Sequence, residues 1–111
     1  MLFRSYPTLA ELCGVTPPAG LAGQSIVPLL KDPAAAMDKL AVTVLRREAT
    51  VGRSVRTDRH RYTEWGDGGA AGVELYDHAS DPRELRNLAA DPASQSTRHE
   101  LAGVLRRVLN R

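Results

Sequence analysis

The sequence predicts an α+β fold in which a small antiparallel sheet of about four strands packs against a C-terminal helix. Short strand and turn signals fill residues 52–88, and an amphipathic helical pattern ends the chain. A short helix and a connector rich in proline and glycine precede the first strand. With 111 residues, 42% of them hydrophobic and 25% charged, the chain has the size and composition of one globular domain or a part of one.

The N-terminal residues 6–13, YPTLAELC, predict the first helix, because Pro7 suits an early helical position and Gly14 suits its end. Leu9, Leu12 and Cys13 share one face, so we expect Cys13 to be a buried structural thiol. Residues 14–33 contain four prolines and three glycines, which predicts an extended connector with apolar anchors. Residues 34–39 are expected to form a short helical turn. We divide the chain into a helix and connector (1–39) and a sheet with its helix (40–111).

Residues 40–46, LAVTVLR, predict the first strand, and their near-continuous apolar run predicts cover on both faces. The next two strands, GRSVRT and HRYTEW, flank the dipeptide Asp58-Arg59. A hairpin through this dipeptide places Val55 opposite Tyr62 on one face, and Arg56 opposite Arg61 on the other. The glycine-rich tip GDGGAAG and the strand VELYDH complete the meander.

Two helical segments are predicted after the sheet. Residues 80–89, SDPRELRNLA, predict a turn and a short helix capped by Ser80 or Asp81. The longer helix is predicted from Ser96 or Thr97 to Leu109, with Thr97 and Glu100 as a capping box. Its apolar residues recur at the spacing of one helical face: Leu101, Val104, Leu105, Val108 and Leu109.

We find no set of residues that predicts catalysis or metal binding in this chain. Cys13 has no histidine near it in the sequence, and the three histidines lack a repeated metal-ligand spacing. Asp77, His78 and Asp81 could form the corner of a metal site, but Asp81-Pro82 is better explained as a turn and helix entry. The tip GDGGAAG joins two strands, whereas a phosphate-binding glycine loop joins a strand to a helix.

The pair Arg56 and Arg61 is the most informative feature of the predicted sheet. Like charges directly opposite each other destabilise a sheet, so an anionic group should neutralise them. A carboxylate of this chain, a carboxylate of a neighbouring domain, or an anionic ligand would serve. We therefore name Arg56, Arg61, Tyr62 and Trp65 as candidates for a substrate rim or an interdomain surface, and we predict no catalytic and no metal-ligating residue.

Charge and hydropathy limit the classes of partner that this chain is expected to bind. The net charge of +2 is spread along the chain and does not form the clustered basic face that nucleic acid requires. No stretch approaches the ~20 apolar residues of a membrane helix, and the N-terminus lacks the apolar run of a signal peptide. The single Cys13 excludes an internal disulfide and leaves the cellular compartment open. We therefore expect neither a nucleic-acid nor a membrane partner.

Several phrases of the sequence together resemble the C-terminal part of sulfatases. Residues 6–33 contain the phrase G-x-S-(I/L)-x-P-L-L at 23–30, after a helix and a Pro/Gly-rich link. SVRTDRHRYTEW followed by ELYDHASDPRELRNLA resembles the C-terminal sheet of these enzymes, most closely of those similar to iduronate-2-sulfatase. The resemblance covers about residues 5–110.

This resemblance implies the alkaline-phosphatase-like superfamily, whose sulfatases cleave sulfate esters with a formylglycine made in a C-x-P-x-R type motif and bind Ca²⁺. Cys13 is followed by GVTP and does not match that motif, so both cofactors are expected only in a catalytic domain outside this chain. Relatives are often periplasmic, secreted or lysosomal.

The implied role is a subdomain that docks on the catalytic domain and closes one edge of a cleft for a sulfated sugar, and that is inactive alone. Whether the chain counts as part of an enzyme therefore depends on that catalytic domain. The alternative is a stand-alone module that binds an anionic sugar or an acidic protein.

Overall fold

The structure, a computed structural model, describes residues 4–21, 23–36 and 40–109. The chain divides into two compact units, Met1–Asp38 and Lys39–Arg111. Among the described residues, no helix combines the length and the apolar character needed to cross a membrane.

The first unit contains helix α1 (Ser5–Leu12) and the short helix α2 (Val27–Lys31). Gly14 follows α1 in a left-handed conformation, with φ of 67°, as the sequence predicts for a C-terminal glycine. The Thr8 hydroxyl accepts a hydrogen bond from the backbone N–H of Ile26 at 3.0 Å. This bond joins α1 to the start of α2, which gives the connector one fixed point.

The apolar face predicted for α1 is exposed in this chain. Leu9 and Leu12 are 60% and 59% exposed, and Cys13 is exposed as well. The expectation of a buried thiol is therefore wrong. The described part of this unit has few buried side chains, so it forms little core in which Cys13 could be buried. Residues 34–36 are not helical, and the rest of the predicted turn, 37–39, lies outside the described residues.

The second unit is a four-stranded antiparallel sheet in the order β1-β2-β3-β4. The strands are β1 (Ala41–Arg47), β2 (Thr50–Arg56), β3 (His60–Trp65) and β4 (Gly72–Asp77). The predicted hairpin register is confirmed, with Val55 opposite Tyr62 and Arg56 opposite Arg61. The glycine-rich tip joins β3 to β4 and contains a single 3-10 turn, Asp67–Gly69.

Helix α3 (Gln95–Leu109) packs against one face of the sheet and forms the core with it. Leu75, Leu105 and Val55 are fully buried there, so the predicted packing of the C-terminal helix is confirmed. The predicted capping box is wrong, because α3 begins before Thr97. The chain enters through the 3-10 turn Pro92–Ser94, where the Asp91 carboxylate accepts the N–H of Ala93 at 3.0 Å.

The segment predicted as a short helix at 80–89 runs instead along the outer edge of β4. The Asn87 side chain accepts the N–H of Leu75 at 3.0 Å and donates to the Val73 carbonyl at 3.1 Å, while Leu88 N–H donates to the Leu75 carbonyl at 2.8 Å. Neither Ser80 nor Asp81 begins a helix; the Asp81 carboxylate accepts the N–H of Arg86 at 2.8 Å. Pairing with β4 therefore replaces the local helical preference.

Strand β1 forms the opposite edge of the sheet, and its predicted cover on both faces is wrong for this chain. Val44 is 59% exposed and Leu45 is 38% exposed. The near-continuous apolar run indicated burial, but β1 is an edge strand, and no other strand lies on its outer side in the described sheet.

Candidate functional site on the open face of the sheet

The sheet face opposite α3, called the open face below, carries most of the predicted site. Strand register places three rows of residues across it, since side chains alternate between faces. These rows are Ala41-Arg56-Arg61-Tyr76, Thr43-Ser54-Thr63-Glu74 and Leu45-Gly52-Trp65-Gly72. A depression of about 390 Å³ lies over them. Arg56 and Arg61 share it with the carboxylates of Glu74 and Glu84, so it has no marked excess of positive charge.

Arg61 is neutralised by a carboxylate of this chain. Its Nη2 donates to Glu84 Oε2, and its guanidinium carbon lies 5.6 Å from the centroid of the Tyr76 ring. The other Glu84 oxygen contacts His78 Nε2, so one carboxylate holds both basic groups. The Arg61 Nε is buried without a hydrogen-bond partner among the described residues. Burial, followed by the charge of Glu74, raises the pKa of Tyr76.

Glu84 holds this position in a left-handed conformation, with φ of 56°. Such a conformation costs free energy in a non-glycine residue and persists only where other contacts fix it. The bonds to Arg61 and His78 supply those contacts. Glu84 therefore fastens the segment after β4 to the open face.

The Arg56 guanidinium has different hydrogen-bond acceptors from that of Arg61. Its Nη1 donates to the carbonyl of Thr57 and, at 3.4 Å, to the carbonyl of His60. These acceptors close the end of the β2–β3 hairpin, where Thr57 N–H also donates to the His60 carbonyl at 2.9 Å. Arg56 thus reinforces the turn, and its acceptors carry no formal charge.

Trp65 lies flat over Gly52 at the other end of the open face. A Cβ atom at Gly52 would stand 2.7 Å from the indole ring, so only glycine fits beneath it. The indole N–H donates to Glu74 Oε1 at 3.0 Å, and the Arg47 guanidinium lies 5.7 Å from a Trp65 ring centroid. The Trp65 ring is therefore in contact with residues of the three other strands: Arg47 of β1, Gly52 of β2 and Glu74 of β4.

Two hydroxyl groups form the floor between these ends. Thr63 Oγ1 donates to Ser54 Oγ at 2.9 Å, which in turn donates to the Tyr62 carbonyl at 3.2 Å. Both residues are buried, and the nearby His78 contacts Glu84. A nucleophilic hydroxyl needs an adjacent base, and the hydrogen bonds of this floor lead only to another hydroxyl and a carbonyl.

Tyr62 lies on the core face, away from the other three candidate residues. It is 3% exposed, and its hydroxyl donates to Glu64 Oε1 at 2.9 Å. Burial, with a smaller contribution from Glu64, raises the pKa of Tyr62 to about 12. Tyr62 therefore lies in the core and not on the open face with the other candidates. The alternation of side chains along β3 already indicates this, because Tyr62 and its neighbour Arg61 must point to opposite faces. Arg56, Arg61 and Trp65 are brought together on the open face.

An ion pair holds Asp77, which was considered as one corner of a metal site and set aside in favour of a turn. Arg59 grips the Asp77 carboxylate with two hydrogen bonds, of 2.9 and 2.7 Å, and the Ala79 N–H donates to it at 3.0 Å. The bond from Arg59 holds the pKa of Asp77 well below its usual range. Among the described residues, no group of three or more potential metal ligands occurs. Asp77 therefore ties the β2–β3 turn to the end of β4.

The second unit is thus an antiparallel meander with a helix on one face and an internally neutralised arginine on the other. Residues 4–111 match the family described as "N-sulphoglucosamine sulphohydrolase, C-terminal". The chain belongs to this family, and the resemblance to the C-terminal region of sulfatases is confirmed.

Relatives and solved structures place the chain in the same part of larger proteins. It is 40% identical over 91 residues to a Δ4,5-hexuronate-2-O-sulfatase of Bacteroides thetaiotaomicron, covering 78% of this chain and 18% of that enzyme. A solved structure described as a 2-O GAG sulfatase has a TM-score of 0.81 and 34% identity, over 96% of this chain and 24% of that one.

A third match shows similarity of the fold alone. A structure solved in complex with its substrate D-glucosamine-2-N,6-O-disulfate has a TM-score of 0.79 at 23% identity, over 94% of this chain and 22% of that one. The chain spans 15–18% of the length of the curated relatives it matches. It corresponds to the C-terminal part of a sulfatase.

Proposed function

We propose that this chain serves as the C-terminal subdomain of a sulfuric ester hydrolase, with its open face turned toward the catalytic portion and bordering the substrate cleft. The match of residues 4–111 to a family of C-terminal sulphohydrolase segments carries this proposal. The open face supports it, because the Glu84 bonds to Arg61 and His78 make a firm polar surface that a second domain can rest on.

The chemistry of ester cleavage belongs to the catalytic portion. A formylglycine nucleophile and Ca²⁺ are the sulfatase requirements that we assign there. The carboxylates of Asp77 and Glu84 do not fit a Ca²⁺ site, since each is already bonded to an arginine. Without these groups, the chain alone is inactive toward sulfate esters.

In the whole enzyme, Arg56 and Trp65 are the residues placed to meet a sulfated sugar at the cleft edge. A guanidinium recognises sulfate oxygens through charge-assisted hydrogen bonds. The indole face that lies under the Arg47 guanidinium would pack against the C–H face of a sugar ring once the Arg47 side chain moves aside. Arg61 supports this edge indirectly, because Glu84 already holds its guanidinium.

A chimera tests the proposal. In the Bacteroides thetaiotaomicron hexuronate sulfatase, residues 4–111 of this chain replace the matching C-terminal segment, and sulfate release is measured beside a truncation that lacks the segment. We expect the chimera to recover activity that the truncation loses. Arg61→Ala in the chimera should reduce activity, whereas Arg83→Ala, at an exposed position, should leave it unchanged. A chimera no more active than the truncation contradicts the proposal.

The alternative function is a stand-alone module for an anionic sugar or an acidic protein. The contacts of Arg56 with neutral carbonyl oxygens favour it, since they leave its charge able to attract an anion. On this hypothesis the purified chain binds a sulfated-glycan column at low salt, and Arg56→Ala abolishes retention while Arg83→Ala does not. Failure of the parent chain to bind at low salt contradicts it.

A further inference from the structure

We propose that two copies of this chain pair through the outer edges of their β1 strands, antiparallel, to form one continuous sheet. The proposal goes beyond the sulfatase role and uses neither Arg56 nor Arg61. It therefore stands or falls separately from the function proposed for the open face.

The two edges of the sheet are not alike. At β4, the outward-facing backbone groups of Leu75 and Val73 are already bonded to Asn87 and Leu88. Beyond β1, the described part of the chain adds no further strand to the sheet. An open edge strand presents a row of backbone donors and acceptors that a further strand can join.

The register shows which groups of β1 point outward. Arg47 opposite Thr50 closes a two-residue loop, so these residues form a hydrogen-bonded pair and the pairs then alternate. Thr43 and Leu45 direct their backbone groups at β2. The N–H and C=O groups of Val42, Val44 and Arg46 are directed away from β2. In agreement, Val51, which lies opposite Arg46, gives its carbonyl to Gly66 N–H at 2.9 Å on the β3 side.

Strand β1 is complementary to itself about its midpoint. Val44 is the central residue of Ala41–Arg47, so a two-fold axis there pairs Val44 with the second copy's Val44. The same axis pairs Val42 with Arg46 of the second copy, and each such pair exchanges two N–H···O bonds. Arg47 then lies opposite Ala41, so no like charges face each other. The two exposed Val44 side chains would also contact each other and bury apolar surface that is in water in the single copy.

Strand β1 lacks the devices that usually keep an edge unpaired. Proline, a bulge, or a charge in the middle of the strand would each block addition of another strand. The sequence AVTVLRR contains no proline, its register with β2 is one-to-one, and both of its charges lie at one end. Its exposed middle, Val44 and Leu45, is apolar.

Amide hydrogen exchange followed residue by residue tests the pairing on the intact 111-residue chain. Over about a hundredfold range of protein concentration, the amides of Val42, Val44 and Arg46 should gain protection as concentration rises. The amides of Thr43 and Leu45, bonded to β2, should stay protected throughout and serve as the internal control. Edge amides that exchange rapidly at every concentration overturn the proposal.

Sedimentation equilibrium supplies the second measurement, with Val44→Lys as the test variant. This change places two ammonium groups opposite each other on the axis and should weaken dimerisation roughly tenfold or more. Leu85→Lys also replaces an exposed aliphatic side chain by lysine, at a more exposed site away from β1, and should leave dimerisation unchanged. Val44→Pro removes the central outward N–H and should also weaken it. A parent chain that stays monomeric, a dimer that both Val44 variants preserve, or a dimer that Leu85→Lys weakens as much as Val44→Lys does, refutes β1 pairing.

Discussion

Gly52→Ala offers a test of how the open face is built, because the glycine lies directly beneath the only tryptophan. The added Cβ would stand 2.7 and 2.9 Å from two carbons of the Trp65 ring. Normal carbon contacts lie near 3.5 Å, so the ring must move by roughly 0.8 Å or the strands must separate. Either response also strains the bond from the indole N–H to Glu74.

Two opposing effects set the magnitude. Overpacking of this kind costs about 1–3 kcal/mol. Replacing a glycine inside a strand by alanine returns about 0.5–1 kcal/mol, because the unfolded chain loses conformational freedom. The clash is the larger effect, so Gly52→Ala should lower the free energy of unfolding by about 0.5–2 kcal/mol. In a Trp65→Ala background the clash is gone, and the same substitution should stabilise.

Urea unfolding followed by circular dichroism measures both effects, since this signal does not depend on the tryptophan. The four chains of the cycle are the parent, Gly52→Ala, Trp65→Ala and the double variant. Fluorescence of Trp65 in the first two reports displacement of the ring independently. If Gly52→Ala destabilises equally in both backgrounds, the ring is not what excludes a side chain at Gly52.

Three further predictions follow from other contacts of the second unit. Glu48 and Glu84 both have positive φ, but only Glu84 has its carboxylate bonded to an arginine and a histidine, so Glu48→Gly should stabilise by about 0.5–1 kcal/mol while Glu84→Gly destabilises in thermal melts. The pKa of Asp77 is lowered by folding, so its contribution is present above about pH 4 and is lost as the pH falls further; Asp77→Asn should flatten the acid limb of a stability-pH curve, and an unchanged limb would contradict this. The pKa of Tyr62 is raised to about 12, so its contribution is present below about pH 10 and is lost as the pH rises through 12; Tyr62→Phe should remove this alkaline loss, as measured by urea unfolding at each pH.

Much of the sheet could be predicted from the sequence because its signals are local. The runs GRSVRT and HRYTEW flank a dipeptide, and the period of two along each run fixes which side chains share a face. That is why the pairs Val55-Tyr62 and Arg56-Arg61 were predicted correctly. The same alternation excludes Tyr62 from the open face, yet Tyr62 was grouped with Arg56, Arg61 and Trp65 as a candidate residue.

What the sequence could not predict depends on contacts between distant residues. Glu84 reaches Arg61 from 23 positions away, and no local pattern signals this pair. The segment 80–89 has a helical start signal, yet Asn87 is bonded along β4 instead. The exposure of Cys13 and of Val44 reflects which surfaces the rest of the described chain covers, and apolar composition alone cannot predict that.

The order of the strands also determines how the second unit folds. Each strand pairs with the next one along the chain, and the first two hairpins turn through only two residues each. Loop closure in such a meander costs little entropy, so the sheet is expected to assemble at the faster end of the range for β structure. Docking of α3 then supplies the long-range contacts that consolidate the core. A segment built this way can reach its native register without a template from the larger protein to which it corresponds.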